Sequence, residues 1–91
     1  MMITVNYLLR FTKSAEKSII KIEQSLPAIG RKIQTVIESL SEYPHLGLKL
    51  QGLKQETRRI RVGDYRIIYE VYAEQFLIII TYIGPRGGAY K

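Results

Sequence analysis

The sequence predicts a two-layer α+β domain: an N-terminal strand and two helices packed on a mainly antiparallel, four-stranded sheet. Three observations lead there. Apolar residues recur at helical spacing between residues 12 and 40, and they alternate or run together from 57 to 83. A β-rich segment, "ITVNYLL" (Ile3 to Leu9), precedes both. No repeat, linker or low-complexity tract interrupts the pattern, so residues 1–91 read as one domain.

Each element has a local reason. Ile3 to Leu9 carries β-branched and aromatic residues and no breaker. Thr12 is suited to cap a first helix, whose Ile19, Ile22 and Leu26 share one face. Pro27 belongs in the first turn of a second helix, where its missing N–H costs nothing. That helix places Ile29, Ile33, Val36, Ile37 and Leu40 in one stripe and leaves Arg31, Lys32 and Glu38 for solvent. "YPHLG" stops it, because a residue before proline avoids the helical region. The loop "GLKLQGLKQE" (Gly47 to Glu56) leads to three strands: Thr57 to Val62, Tyr65 to Tyr72, and Phe76 to Ile83.

Composition narrows the chemistry. Fourteen Lys and Arg against eight Asp and Glu give a formal net charge of +6, which favours nucleic acid or another anionic partner. Cysteine is absent, so disulfides, thiolate metal sites and thiol nucleophiles are excluded. The single histidine, His45, builds no metal site or histidine–carboxylate relay, and reads as a solvated loop residue; no cofactor is expected. Lys13, Lys17 and Lys21 repeat every four residues on the first helix as an ordinary solvated face or a partner surface. The longest apolar run, "FLIIITYIG", is too short to span a bilayer as a helix, and the start lacks a secretory pattern, so a cytoplasmic location is expected.

The charge concentrates in one hairpin, "RRIRVGDYRIIYE". Gly63-Asp64 is a glycine-first, two-residue loop of the type II′ kind. That turn fixes the register: Val62 faces Tyr65, Arg61 faces Arg66, Ile60 faces Ile67, Arg59 faces Ile68, and Arg58 faces Tyr69. Val62, Ile60, Tyr65, Ile67 and Tyr69 then make an apolar face toward the helices, and Arg59, Arg61 and Arg66 project from the other. A solvated face with a diagonal Arg59–Glu70 pair would be the bland explanation. Yet one glutamate cannot neutralise three guanidiniums, and like charges directly opposed disfavour pairing. Fixed, planar, permanently charged donors suit phosphate instead. The tail "GPRGGAYK" adds Arg86, Lys91 and a tyrosine, Tyr90, that can stack on a nucleobase or simply pack its own tail.

These segments, in this order, resemble the RelE/ParE superfamily of toxins from toxin–antitoxin pairs. "FTKSAEKSIIKI" is similar to the family's first helix, "PHLGLKLQGL" to its following loop, "RRIRVGDYRIIYEV" to its hairpin, and "IGPRGGAY" to its closing segment. The resemblance implies a RelE-like fold, a cognate antitoxin (RelB-like or other) forming a hetero-oligomer, and one of two activities. RelE-like members cut messenger RNA in the ribosomal aminoacyl site through attack of a ribose 2′-hydroxyl. ParE-like members poison DNA gyrase without cutting RNA. A decayed toxin that only binds its antitoxin is a third reading. For the nuclease, the resemblance implies Arg59, Arg61, Arg66, Arg86 and Tyr90 as the catalytic set. Lys49, Lys54, Arg58 and Lys91 are expected to meet RNA or ribosome, with no membrane partner.

The chain departs from the family where Arg59 and Arg61 stand at positions that often hold lysine. Arginine stays protonated, so it can neutralise phosphate but cannot serve as the base. Pro85 precedes Arg86, and Gly87-Gly88 replaces bulkier residues.

Overall fold

Residues 6–85 are described by a computed structural model. In chain order the elements are β1 (Leu8–Phe11), α1 (Lys13–Ser25), α2 (Pro27–Ser39), β2 (Leu48–Lys49), β3 (Thr57–Val62), β4 (Tyr65–Tyr72) and β5 (Leu77–Pro85). They form one sheet in the order β1-β5-β4-β3-β2. β1 runs parallel to β5 and every other pairing is antiparallel.

The expected two layers are present, with one strand more than the expected four. Leu48–Lys49 pairs with Arg59 and Arg58 and is too short for any periodicity to reveal it. Expected over Ile3 to Leu9, the N-terminal strand covers Leu8–Phe11 among the described residues; residues 3–5 of the expected span lie outside them. Thr12 then ends it and caps α1, its hydroxyl accepting a hydrogen bond from the Ala15 N–H at 3.1 Å.

α1 buries Ala15, Ile19 and Ile22, whereas Leu26, expected on the same face, is 45 % exposed. The helix has ended by then: Leu26 has a φ of −137° and forms the joint into α2, so it no longer follows α1's spacing. Pro27 opens α2 as expected, and Ile33, Ile37 and Leu40 are buried, with Ile29 and Val36 packed at the margin. These residues meet Ile67, Tyr69, Val71, Ile78, Ile80 and Ile83 from the inner face of the sheet.

The hairpin register is the predicted one at all five pairs and extends to Thr57 opposite Glu70. Gly63 has a φ of +59° and Asp64 does not share the positive region, which is the type II′ pattern. β5 begins at Leu77 because Phe76 adopts a left-handed conformation, φ 50°. Contacts hold Phe76 there: its carbonyl accepts from the Leu8 N–H at 2.8 Å, and its ring meets the Tyr7 ring edge-on at 5.6 Å.

One irregularity decides what the outer face carries. Ile68 pairs with Tyr82 but Tyr69 pairs with Ile80, so Thr81 is an extra residue in β5. Its hydroxyl donates to the Ile68 carbonyl at 3.2 Å. The bulge shifts the alternation by one. Ile83 therefore returns to the core, and Tyr82 and Gly84 turn outward to join Arg66 and Ile68.

Candidate functional site

Among the described residues no helix packs on the outer face of β3 and β4, and the arginines occupy it. Arg61 stands directly opposite Arg66, and Arg59, two residues away on β3, shares their face. Arg61 is exposed, and its Nε donates to the Gly63 carbonyl at 3.1 Å, which folds the side chain toward the turn. Arg66 is on the predicted face but does not project freely: it is 8 % exposed. Glu70, the acid of this face, accepts a hydrogen bond from the Tyr72 hydroxyl at 2.8 Å, and that bond is the main reason the phenol is held above its ordinary pKa.

Tyr82, which sequence reasoning left unassigned, borders this cluster. Arg66 faces Gly84 and Ile68 faces Tyr82, so Tyr82 is diagonal to Arg66. Its ring lies along its own strand: a Cβ placed on Gly84 would be 2.6 Å from the Tyr82 Oη and 2.8 Å from Cζ. Only glycine leaves that space. The hydroxyl donates to the Pro85 carbonyl at 3.3 Å. The available signal was the aromatic two residues before a glycine, but strict alternation would have turned it inward.

Arg58 faces the other way. Its Nε meets the Glu56 carboxylate at 2.7 Å, and its guanidinium donates to the carbonyls of Gly47 at 2.7 Å and His45 at 3.2 Å. Expected as an RNA contact, Arg58 fastens the loop that follows α2. Tyr69 Oη reaches the same loop, accepting from the Gly47 N–H and donating to the Pro44 carbonyl, each at 2.9 Å. His45 is exposed but not idle, since its Nδ1 lies 3.0 Å from the Glu56 carboxylate. Burial would raise the Glu56 carboxyl, yet the bonds from Arg58 and His45 outweigh it and hold the group below its ordinary value. Lys49 pairs with Arg58 and so belongs to that side of the sheet rather than to the arginine row. Lys54 is exposed in the loop before β3. Arg86, Tyr90 and Lys91 lie outside the described residues.

Between the fastened loop and the arginine row lies a cleft of about 600 Å³. Among the described residues no group of three or more His, Asp or Glu gathers as a metal site, and no helix is long and apolar enough to cross a membrane.

Two helices packed on one mixed sheet give this domain the fold of solved RelE toxins. The structure is similar to archaeal RelE in its complex with RelB from Pyrococcus horikoshii, with a TM-score of 0.75 and 32 % identity over 92 % of this chain and 99 % of that one. It is also similar to the RelBE2 toxin–antitoxin complex of Mycobacterium tuberculosis, with a TM-score of 0.73 and 27 % identity over 92 % and 95 % of the two chains. A Methanocaldococcus jannaschii protein given a provisional toxin name, RelE1, is 31 % identical over 91 % of this chain and 98 % of its own length. The family described as "ParE toxin of type II toxin-antitoxin system, parDE" matches residues 9–90. The chain belongs to this family, within the RelE/ParE toxin superfamily, and is a toxin of the type II toxin–antitoxin class.

Proposed function

We propose that this toxin is a ribosome-dependent endoribonuclease that cuts messenger RNA in the aminoacyl site and so blocks translation. The observation that carries the reading is the placement of Arg61 opposite Arg66, with Arg59 beside them, on a sheet face that no helix covers among the described residues. Opposed cations weaken the ladder they sit in, and a bridging phosphate converts that repulsion into charge-assisted hydrogen bonds.

In the proposed reaction the ribose 2′-oxygen loses its proton and bonds to the adjacent phosphorus. The bond from phosphorus to the 5′-oxygen breaks, and that oxygen takes up a proton, leaving a cyclic 2′,3′-phosphate. Arg61 and Arg66 stabilise the charge on the phosphoryl oxygens as the five-coordinate state forms. Arg59 and Arg86 hold the flanking RNA, and Tyr90 stacks on a base or relays a proton. Since no arginine gives up its proton, the base is Tyr90 or a group of ribosomal RNA. Lys54 and Lys91 meet ribosomal phosphate. An activity on translating ribosomes would put the protein in the cytoplasm.

The partner that restrains it is an antitoxin, as in the solved complexes of RelE with RelB. A flexible antitoxin segment folding onto the domain would cover the arginine face. The family's ParE description favours a second reading, a gyrase inhibitor that cuts no RNA. Primer extension on a message translated by purified ribosomes, beside naked RNA and the Arg61→Ala variant, separates the two. Cuts that need ribosomes and vanish in the variant support the nuclease. An intact message together with broken DNA in a gyrase assay supports the inhibitor.

A further inference from the structure

The turn between α2 and β2 combines two features that stability alone does not explain. It is pinned from below by Tyr69 and Arg58, which between them bond Pro44, His45 and Gly47. Yet the turn and the first residue of β2 after it hold two leucines in water, Leu46 at 56 % and Leu48 at 67 % exposure. Leu48 pairs with Arg59, so its side chain lies on the arginine face.

β2 ends there, and among the described residues β3 runs on with no strand paired to its far edge. The Leu50 N–H bonds the Thr57 carbonyl and the Val71 N–H bonds the Glu56 carbonyl, so odd-numbered residues of β3 turn their peptide groups away from β4. The N–H and C=O of Arg61 accordingly face the cleft. Leu46, Leu48, Val36 and Ile60 give it an apolar wall, and the arginines give it a cationic one. Its volume of about 600 Å³ falls within the range of small-molecule sites. One occupant matches all three linings: a nucleotide, with its phosphate on arginine, its base face on leucine, and its base edge on the strand.

We propose that this cleft receives the base next to the cleaved phosphate of a single-stranded RNA, and that Leu48 and Leu46 are specificity-determining residues. The proposal rests on the nuclease reading. It makes cutting preference a property of a rigid apolar loop, separate from the arginines that support cleavage.

The test uses the full-length protein on translating ribosomes, with single-turnover cutting rates measured codon by codon. Leu48→Ala should compress the ratio between most and least favoured codons roughly tenfold, and Leu46→Ala should compress it less. Leu53→Ala, which removes another exposed leucine but does not line the cleft, should leave the ratio unchanged. Melting temperatures equal to the parent's confirm that the variants are folded. If the parent cuts and Leu48→Ala keeps its codon ratio, the cleft assignment is overturned and the nuclease stands. The assignment is equally overturned if that ratio holds while antitoxin affinity drops, because the cleft then serves a protein. A parent that cuts nothing removes the nuclease reading and this inference together.

Discussion

The Tyr69 hydroxyl bonds both ends of one turn, accepting from the Gly47 N–H and donating to the Pro44 carbonyl at 2.9 Å each. Its ring is fully buried in the core, so the contact ties the sheet interior to the loop beside the arginines. Burial holds this phenol above its ordinary pKa, against the lowering effect of the Gly47 bond, and it stays a neutral donor.

Tyr69→Phe keeps the ring and removes both bonds. It should cost about 1–3 kcal/mol, because a sheltered N–H and a carbonyl lose their partner. Urea unfolding gives the size, and amide hydrogen exchange at Gly47 gives the location. Unchanged protection at that amide would mean the loop is held by Arg58 alone.

Scaffold and site should separate under mutation. Ile37 is 1 % exposed, and Ile37→Ala should destabilise by roughly 2–5 kcal/mol through lost burial and a residual cavity. Arg61 is exposed, so Arg61→Ala should change stability by less than about 0.5 kcal/mol while abolishing toxicity. Arg66→Ala should lose both, since the Arg66 side chain is buried in the folded domain. Paired melts and growth assays check this, and an Arg61→Ala protein that fails to fold would contradict the face assignment.

Gly84 and Tyr82 should be coupled. Gly84→Ala drives a methyl into the Tyr82 ring and should cost about 1–3 kcal/mol as the ring is displaced. With Tyr82→Ala already present, the same change should cost much less, giving a non-additive cycle. Additive costs would indicate that the clash is with backbone instead.

The hairpin was fully legible in the sequence because its register hangs on one turn, Gly63-Asp64, and that turn is local. The helix stripes were legible too, up to Leu26, where the joint breaks the period. Other features depend on placement in three dimensions. Thr81 looks like any strand residue, and only its pairing with β4 reveals the bulge that turns Tyr82 outward. Arg58 belongs to the same arginine run as Arg59, yet alternation sends it to Glu56 and the loop carbonyls. The two-residue β2 has no period of its own, so Leu48's place beside Arg59 emerges only from the ladder.

The clasp at Glu56 should make stability sensitive to acid with a definite sign. The carboxylate bonds Arg58 at 2.7 Å and His45 at 3.0 Å, and its pKa in the folded protein lies below the ordinary value of 4.5. A lowered folded value means that the unfolded chain takes up the proton first as pH falls. The stabilisation is therefore fully present above the ordinary value and lost as pH descends through the folded one. Glu56→Gln removes the ionisation and should be less stable than the parent near neutrality. The gap should narrow as pH falls below 4.5. Denaturant midpoints of the two proteins across that range check it. A gap that stays constant would place the loss in packing or hydrogen-bond shape, and the Glu56 charge would then contribute nothing to holding the loop.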